Sequence, residues 1–221
     1  MGLLDFIFQR GESADEALLA VATARGWAAC SRSGMAMLPP SHAAADVHGL
    51  GGRGAPHCAG RSFELALGPQ HRPAVVSHLE ITVSDDQEHV YDMVTWQRPA
   101  GTLLRFEAEL GEGAGQHHRL GDRFNPGGAA KHRLPGGAVL RIGRDADAER
   151  AQTLCAAAGW SELMQLAQSP ALRGCVAESL GDRVAVYSWT GMPRKGQARW
   201  HDLVAVAEGL EALMDSCESG A

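Results

Sequence analysis

The chain has no surplus of positive charge. Its 20 Lys and Arg stand against 26 Asp and Glu, a formal net charge of −6. Nucleic-acid binding usually leaves a basic patch in the sequence, so no nucleic-acid partner is expected. The one compact basic run, Met192-Pro193-Arg194-Lys195-Gly196, reads as a short solvated loop. Long apolar runs are missing as well. No stretch approaches the roughly 20 apolar residues of a membrane span. The opening decapeptide Met1 to Arg10 is apolar but short, without the basic leader and cleavage site of a signal peptide. Residues 3–8 could touch a membrane surface, but helices of that kind carry more basic residues than the single Arg10. Docking into the fold or against a partner is the preferred reading.

Cysteine is sparse and unpaired in pattern. There are five (Cys30, Cys58, Cys155, Cys175, Cys217), an odd number with no CxxC spacing. Three fall within or at the ends of expected elements, where free thiols behave as small apolar groups. A reducing, cytosolic setting follows as an expectation. Aromatics are few, with five Trp and five Phe, so most belong in a core. No internal repeat and no GxSxG nucleophile elbow is present, and no cofactor is expected.

The last third, Val139 to Cys217, carries the clearest structural signals. Asp145 and the acids after it suit a helix start. Ala151, Leu154, Cys155 and Ala158 recur at helical spacing, and Gly159 falls where a C′ glycine is wanted. Ser161 then caps a second short helix that stops near Ser169-Pro170. Cys175–Leu180 and Arg183–Thr190 read as strands joined by the two-residue hairpin signal Gly181-Asp182. From Asp202, an apolar stripe runs through Leu203, Val206, Ala207, Leu210, Leu213, Met214 and Cys217. Glu208, Glu211 and Asp215 are expected on the opposite, wet side.

Earlier in the chain, Ser13-Ala14-Asp15-Glu16 is a capping box, and Gly26 ends the helix it starts. Residues 33–60, rich in Gly, Pro, Ala and His, read as one long loop. Loops of that length are usually functional or disordered. Alternating strands follow at Phe63–Leu67, Val75–Val83, Val90–Trp96 and Thr102–Leu110, with Gly111–Gly115 and Asn125–Ala130 as glycine loops. Their clean alternation suggests an antiparallel sheet with one face open to water. The fold class is therefore α+β: a mostly antiparallel sheet with packing N-terminal, central and C-terminal helices, in a single domain over residues 1–221. The order of elements resembles that of secretion-chaperone-like α+β domains, which hold other polypeptides. The likeness is one of order, and no site is carried over from it.

Gly49-Leu50-Gly51-Gly52-Arg53-Gly54 matches GxGxxG, but no convincing strand precedes it and no helix follows, so it reads as a loop. Two histidine groups invite a metal: His42, His48 and His57 with Cys58, and His117, His118 and His132. Their spacings match no common zinc signature, and adjacent His117 and His118 point opposite ways in extended backbone. Surface imidazoles are preferred to a metal site. Glu107 and Glu109 share a strand face and read as its solvated side. Asp92 falls on the face of Val90, Val94 and Trp96, where a buried carboxylate would need a partner; a bulge or a wet strand end is the competing explanation. Trp189, Met192 and Trp200 bracket the hairpin and the last helix, and form a partner-binding patch if they are not core.

The function expected from these residues is non-catalytic: a protein-binding or assembly module whose partner is a polypeptide or a second copy of the chain. The alternative is a hydrolase-like or metal-dependent enzyme using His, Asp and Glu from the loops at 42–58 and 117–132. The Gly-, Ala- and Arg-rich composition suggests a bacterial protein.

Overall fold

A computed structural model of the chain describes residues 13–30, 57–84, 87–99, 106–110, 130–133, 139–142, 148–172, 175–180, 182–190 and 196–219. The first helix, α1 (Ala14–Arg25), starts and stops as its caps dictate. The Glu16 amide donates to Ser13 Oγ at 3.2 Å, and the Ser13 amide donates to Glu16 Oε2 at 2.7 Å. Gly26 then takes the left-handed conformation at φ 69° and ends it. Ala17, Leu18, Val21 and Ala22 line its buried side.

Nine strands among the described residues form one sheet: β1 (Ala28–Ala29), β2 (His57–Leu67), β3 (Arg72–Ser84), β4 (Gln87–Gln97), β5 (Phe106–Glu109), β6 (Ala130–Arg133), β7 (Val139–Ile142), β8 (Cys175–Leu180) and β9 (Arg183–Thr190). Their spatial order is β1-β2-β3-β4-β9-β8-β5-β7-β6, and every neighbouring pair is antiparallel. The fold class is α+β, as the segregated pattern of strands and helices indicated. The expected hairpin is present, with Leu180 opposite Arg183. His57–Gly60, read from sequence as the end of a long loop, belongs to β2, and Ala130 opens β6 rather than closing a loop. The rest of the 33–60 loop beyond residue 30 and before His57 lies outside the described residues.

Strand alternation sorts the sheet into two faces. Phe63, Leu65, Leu67, Val76, Val94, Trp96, Phe106, Ala108, Ala177, Val184 and Val186 look toward the helices and form the core with them. The other face was expected to meet water. Instead Ser62, Ser77, Tyr91, Met93, Glu107, Glu109, Val176, Glu178 and Tyr187 are all buried there. The carboxylates of Glu107 and Glu109 are therefore not a solvated side. Polar residues at alternate positions signal a face, but not whether another part of the chain covers it.

The helices α2 (Ala148–Ala156) and α3 (Gly159–Ala167) follow one another almost without a break. Gly159 does not stop α2. Ala158 before it is helical (φ −55°, ψ −39°), and Gly159 opens α3 without a side-chain cap from Ser161. The glycine serves close packing: a Cβ there would lie 3.3 Å from Leu213 Cδ1. A single 3-10 turn, Pro170–Leu172, ends the segment. The last helix, α4 (Ala198–Ser219), is the centre of the helical layer. Leu203, Val204, Val206, Ala207, Leu210, Leu213 and Met214 are buried, as are Leu154 of α2 and Trp160, Leu163, Met164 and Ala167 of α3. Aliphatic side chains buried this fully are worth about 1.5–3 kcal/mol each relative to exposure. Glu211 is buried as well, only 1% exposed, against the expectation of a wet side.

Candidate functional site

A cleft of about 750 Å³ opens at one end of β2, β3, β4 and β9. Local sequence builds it. After Gly26 caps α1, the Trp27 amide donates to Ala22 O at 2.9 Å, and the chain passes directly into β1, which pairs with Phe63 and Glu64 of β2. That sequence of contacts fixes Trp27 as one half-buried wall, and the Arg25 guanidinium lies over its ring at 5.7 Å. At the far side, the β2–β3 turn holds Gly68 (φ 62°) and His71 (φ 50°) in left-handed conformations. Glu64, Ala66, Val75, Thr95 and Arg183 are among the other residues that line it. By strand alternation these five project from the face away from the helices. The cleft thus combines an aromatic wall, a floor of small apolar groups, and one carboxylate and one guanidinium.

A second cluster lies on the helix side of the sheet. In register, Arg61, His78, Asp92, Ser188 and Cys175 form one cross-strand row over β2, β3, β4, β9 and β8. His78 Nδ1 is 2.5 Å from Asp92 Oδ1, and His78 Nε2 is 3.2 Å from Glu80 Oε1. The other Asp92 oxygen pairs with Arg199 from the first turn of α4. Trp200 meets the imidazole edge-on, with centroids 6.2 Å apart. His78, Asp92, Arg199 and Trp200 are each at most 2% exposed. Burial alone would lower the His78 pKa, but hydrogen bonding and charge from Asp92, aided by Glu80, outweigh it and raise the value above 6.5. The same row buries Cys175, whose thiol is pushed up to about 12 by burial while Arg199 acts the other way.

A third cluster holds the other end of α4. Glu211, Asp215 and Glu218 follow at i, i+4 and i+7, one face of a helix. Arg72 pairs with Glu211, and Arg98 reaches Glu211 at 2.5 Å, Asp215 at 2.8 Å and Glu218 at 2.7 Å. Trp96 Nε1–H donates to Glu211 Oε2 at 2.6 Å. Burial would lower the Arg98 pKa, but these carboxylates overcome it and hold the guanidinium charged. On the opposite face of the sheet, Glu107 stands opposite Glu178 in register. Tyr187 Oη donates to Glu178 Oε2 at 3.5 Å, and the Tyr91 and Tyr187 rings lie 6.4 Å apart. Burial, then the charge of Glu178, raises the Tyr91 pKa, so its phenol stays protonated.

The residues singled out from sequence are scattered by the fold. Trp200 is core, packed on His78, and does not contribute to a surface patch. Trp189 lies in β9 opposite Tyr91, and Met192 falls outside the described residues. His132 lies in β6 opposite Leu140, and His57 and Cys58 lie in β2 opposite Thr82 and Ile81. His42, His48, His117, His118 and the GxGxxG segment are outside the described residues. Among the described residues no group of three or more His, Cys, Asp or Glu is placed to hold a metal. No described helix is long and apolar enough to cross a membrane. Sequence reasoning missed Trp27, Arg183, His78, Arg98 and Arg199. The available signals were strand parity, which sets His78, Asp92 and Arg98 on the helix side, and the acidic i, i+4, i+7 stripe on α4. Compared with protein-family models, with curated proteins and with solved structures, the chain shows no match to any of them.

Proposed function

We propose that this chain is a non-catalytic polypeptide-binding module, working in a reducing, cytosolic setting, and that the cleft beside Trp27 is where the partner lies. The cleft is the observation that carries this reading. Its wall and floor suit an apolar side chain, and Glu64 and Arg183 offer an acceptor and donors for a peptide backbone or a charged neighbour. It stands on strands held by long ladders, so little ordering is needed when a partner binds. Among the described residues β1 is the edge strand and only two residues long, paired with Phe63 and Glu64, so Leu65–Leu67 of β2 lie beyond it, next to the cleft, for an extended segment to run beside. A formal charge of −6 favours a polypeptide over a nucleic acid.

Affinity capture with the immobilised full chain tests this, followed by binding measurements with the purified partner. Trp27→Ala removes the wall, and Ala66→Glu puts a charge on the floor at an exposed position that tolerates substitution. Each is expected to weaken binding by about tenfold or more, roughly 1.4 kcal/mol. A partner retained equally by wild type and both variants would rule the cleft out. Light scattering on the same samples shows whether the captured polypeptide is a second copy of the chain.

A further inference from the structure

The imidazole of His78 faces a carboxylate oxygen at each ring nitrogen, Asp92 Oδ1 at 2.5 Å and Glu80 Oε1 at 3.2 Å. A carboxylate oxygen accepts and does not donate, and a neutral imidazole has one N–H and one lone pair. Both contacts are satisfied together only by the imidazolium. Asp92 in turn holds Arg199, and the imidazole meets Trp200 edge-on, so two first-turn residues of α4 are tied to this ring or to its carboxylate partner. We propose that His78 is a pH-dependent latch, closed on the first turn of α4 when the ring carries two protons and slack when it carries one.

The other groups facing the ring do not compete for this role. Arg61 of β2 is opposite His78 and tied to Asp15 of α1 at 3.0 Å, Arg199 comes from α4, and Ser188 of β9 is neutral. Carboxylates and guanidinium groups titrate far from neutrality as classes, whereas histidine titrates close to it. At its far end α4 is held by Arg72 and Arg98 on three carboxylates, a clamp with no imidazole in it. One helix therefore carries a titratable contact at its first turn, beside the Arg25–His201 and Ser169–Asp202 bonds, and a clamp of guanidinium and carboxylate groups at its far end. The raised His78 value fixes the direction. The latch contributes its full stability below the unfolded value of 6.5 and loses it as pH rises through the folded value above that. The proton released goes to solvent. The latch lies on the opposite face of the sheet from the cleft, so its failure would leave the polypeptide-binding reading untouched.

Hydrogen exchange of the full chain, corrected for the intrinsic rate at each pH, reads the two ends of α4 separately. The amides of residues 202–205 bond to first-turn carbonyls and report the latch; those of residues 211–216 report the clamp. Between about pH 6 and about pH 9, protection at 202–205 is expected to fall by about tenfold or more while that at 211–216 changes by less than about twofold. His78→Gln should abolish the difference. His201→Asn should keep it, since His201 bonds Arg25 of α1 and not the latch. Should His78→Gln not fold, Glu80→Gln at a position 43% exposed replaces it. Its amide can donate to a neutral ring, so it too should flatten the response. Equal changes at both ends of α4, or an undiminished response in His78→Gln or Glu80→Gln, would overturn the latch.

Discussion

At the scale of single residues, backbone geometry and buried charge set the tightest constraints. Gly60 sits in β2 with φ 142°, and a Cβ there would fall 1.9 Å from the carbonyl oxygen of His78. Only glycine fits, because the backbone of β3 has nowhere to retreat. Gly60→Ala should cost about 2–3 kcal/mol, read as a lower urea midpoint with an unchanged m-value. An unshifted midpoint would show that the strand does not hold this conformation. Nothing in the sequence marks this glycine, because its constraint comes from a strand that pairs with it only in the fold. Asp92 was half legible. Its strand parity put a carboxylate among Val90, Val94 and Trp96, which correctly raised the need for a partner. The partners themselves, His78 on the next strand and Arg199 on the last helix, follow from register and docking, neither of which a single chain displays.

At the scale of elements, α4 shows both what patterning reveals and where it misleads. Its apolar stripe, its capped neighbour α1 and the β8–β9 hairpin were all readable, since periodicity and caps are local properties. The acidic positions were read as the wet side because acids usually are. Yet Glu211 and Asp215 lie over Arg72 and Arg98, which the β3 and β4 ends present on the same face. Helix and strand lengths agree with this arrangement. From Arg199 to Asp215 a helix rises about 24 Å, and from Asp92 to Arg98 a strand covers about 20 Å. So α4 runs along β4 and is fastened near both of its ends. Removing one partner of a buried pair leaves the other charge uncompensated. Arg98→Ala should therefore destabilise by about 3–5 kcal/mol in urea denaturation. Glu218→Ala, a half-buried member of the same cluster, should cost under about 1 kcal/mol. Equal effects from the two would mean that the cluster is not organised around Arg98. The cleft was the least legible part, since Trp27 and Arg183 meet only through the width of four strands.

At the scale of the whole molecule, the reversed expectation is the second face of the sheet. The same alternation that correctly gave the antiparallel strands also suggested a wet face, and burial of Met93, Tyr187 and Glu178 there shows that patterning reports sides, not coverings. A sheet buried on both faces around β8 and β9 should expose Cys175 only by opening broadly, since that thiol is fully buried and raised to about 12. Its labelling at neutral pH should accelerate with sub-denaturing urea with the full m-value of unfolding, followed by mass spectrometry, while half-buried Cys30 labels without that dependence. A weak urea dependence at Cys175 would reveal a local opening at β8. The strand order has a further consequence for the protein as it is made. β2, β3 and β4 are neighbours in sequence, but the next strand in the sheet is β9, joined through pairs such as Val90 with Thr190. A ribosome adding about 5–20 residues per second makes β9 some 5–20 seconds after β4. Throughout that interval the finished hairpins carry a bare edge at β4, so the nascent chain is most prone to associate with its neighbours on a polysome before its own last strand arrives.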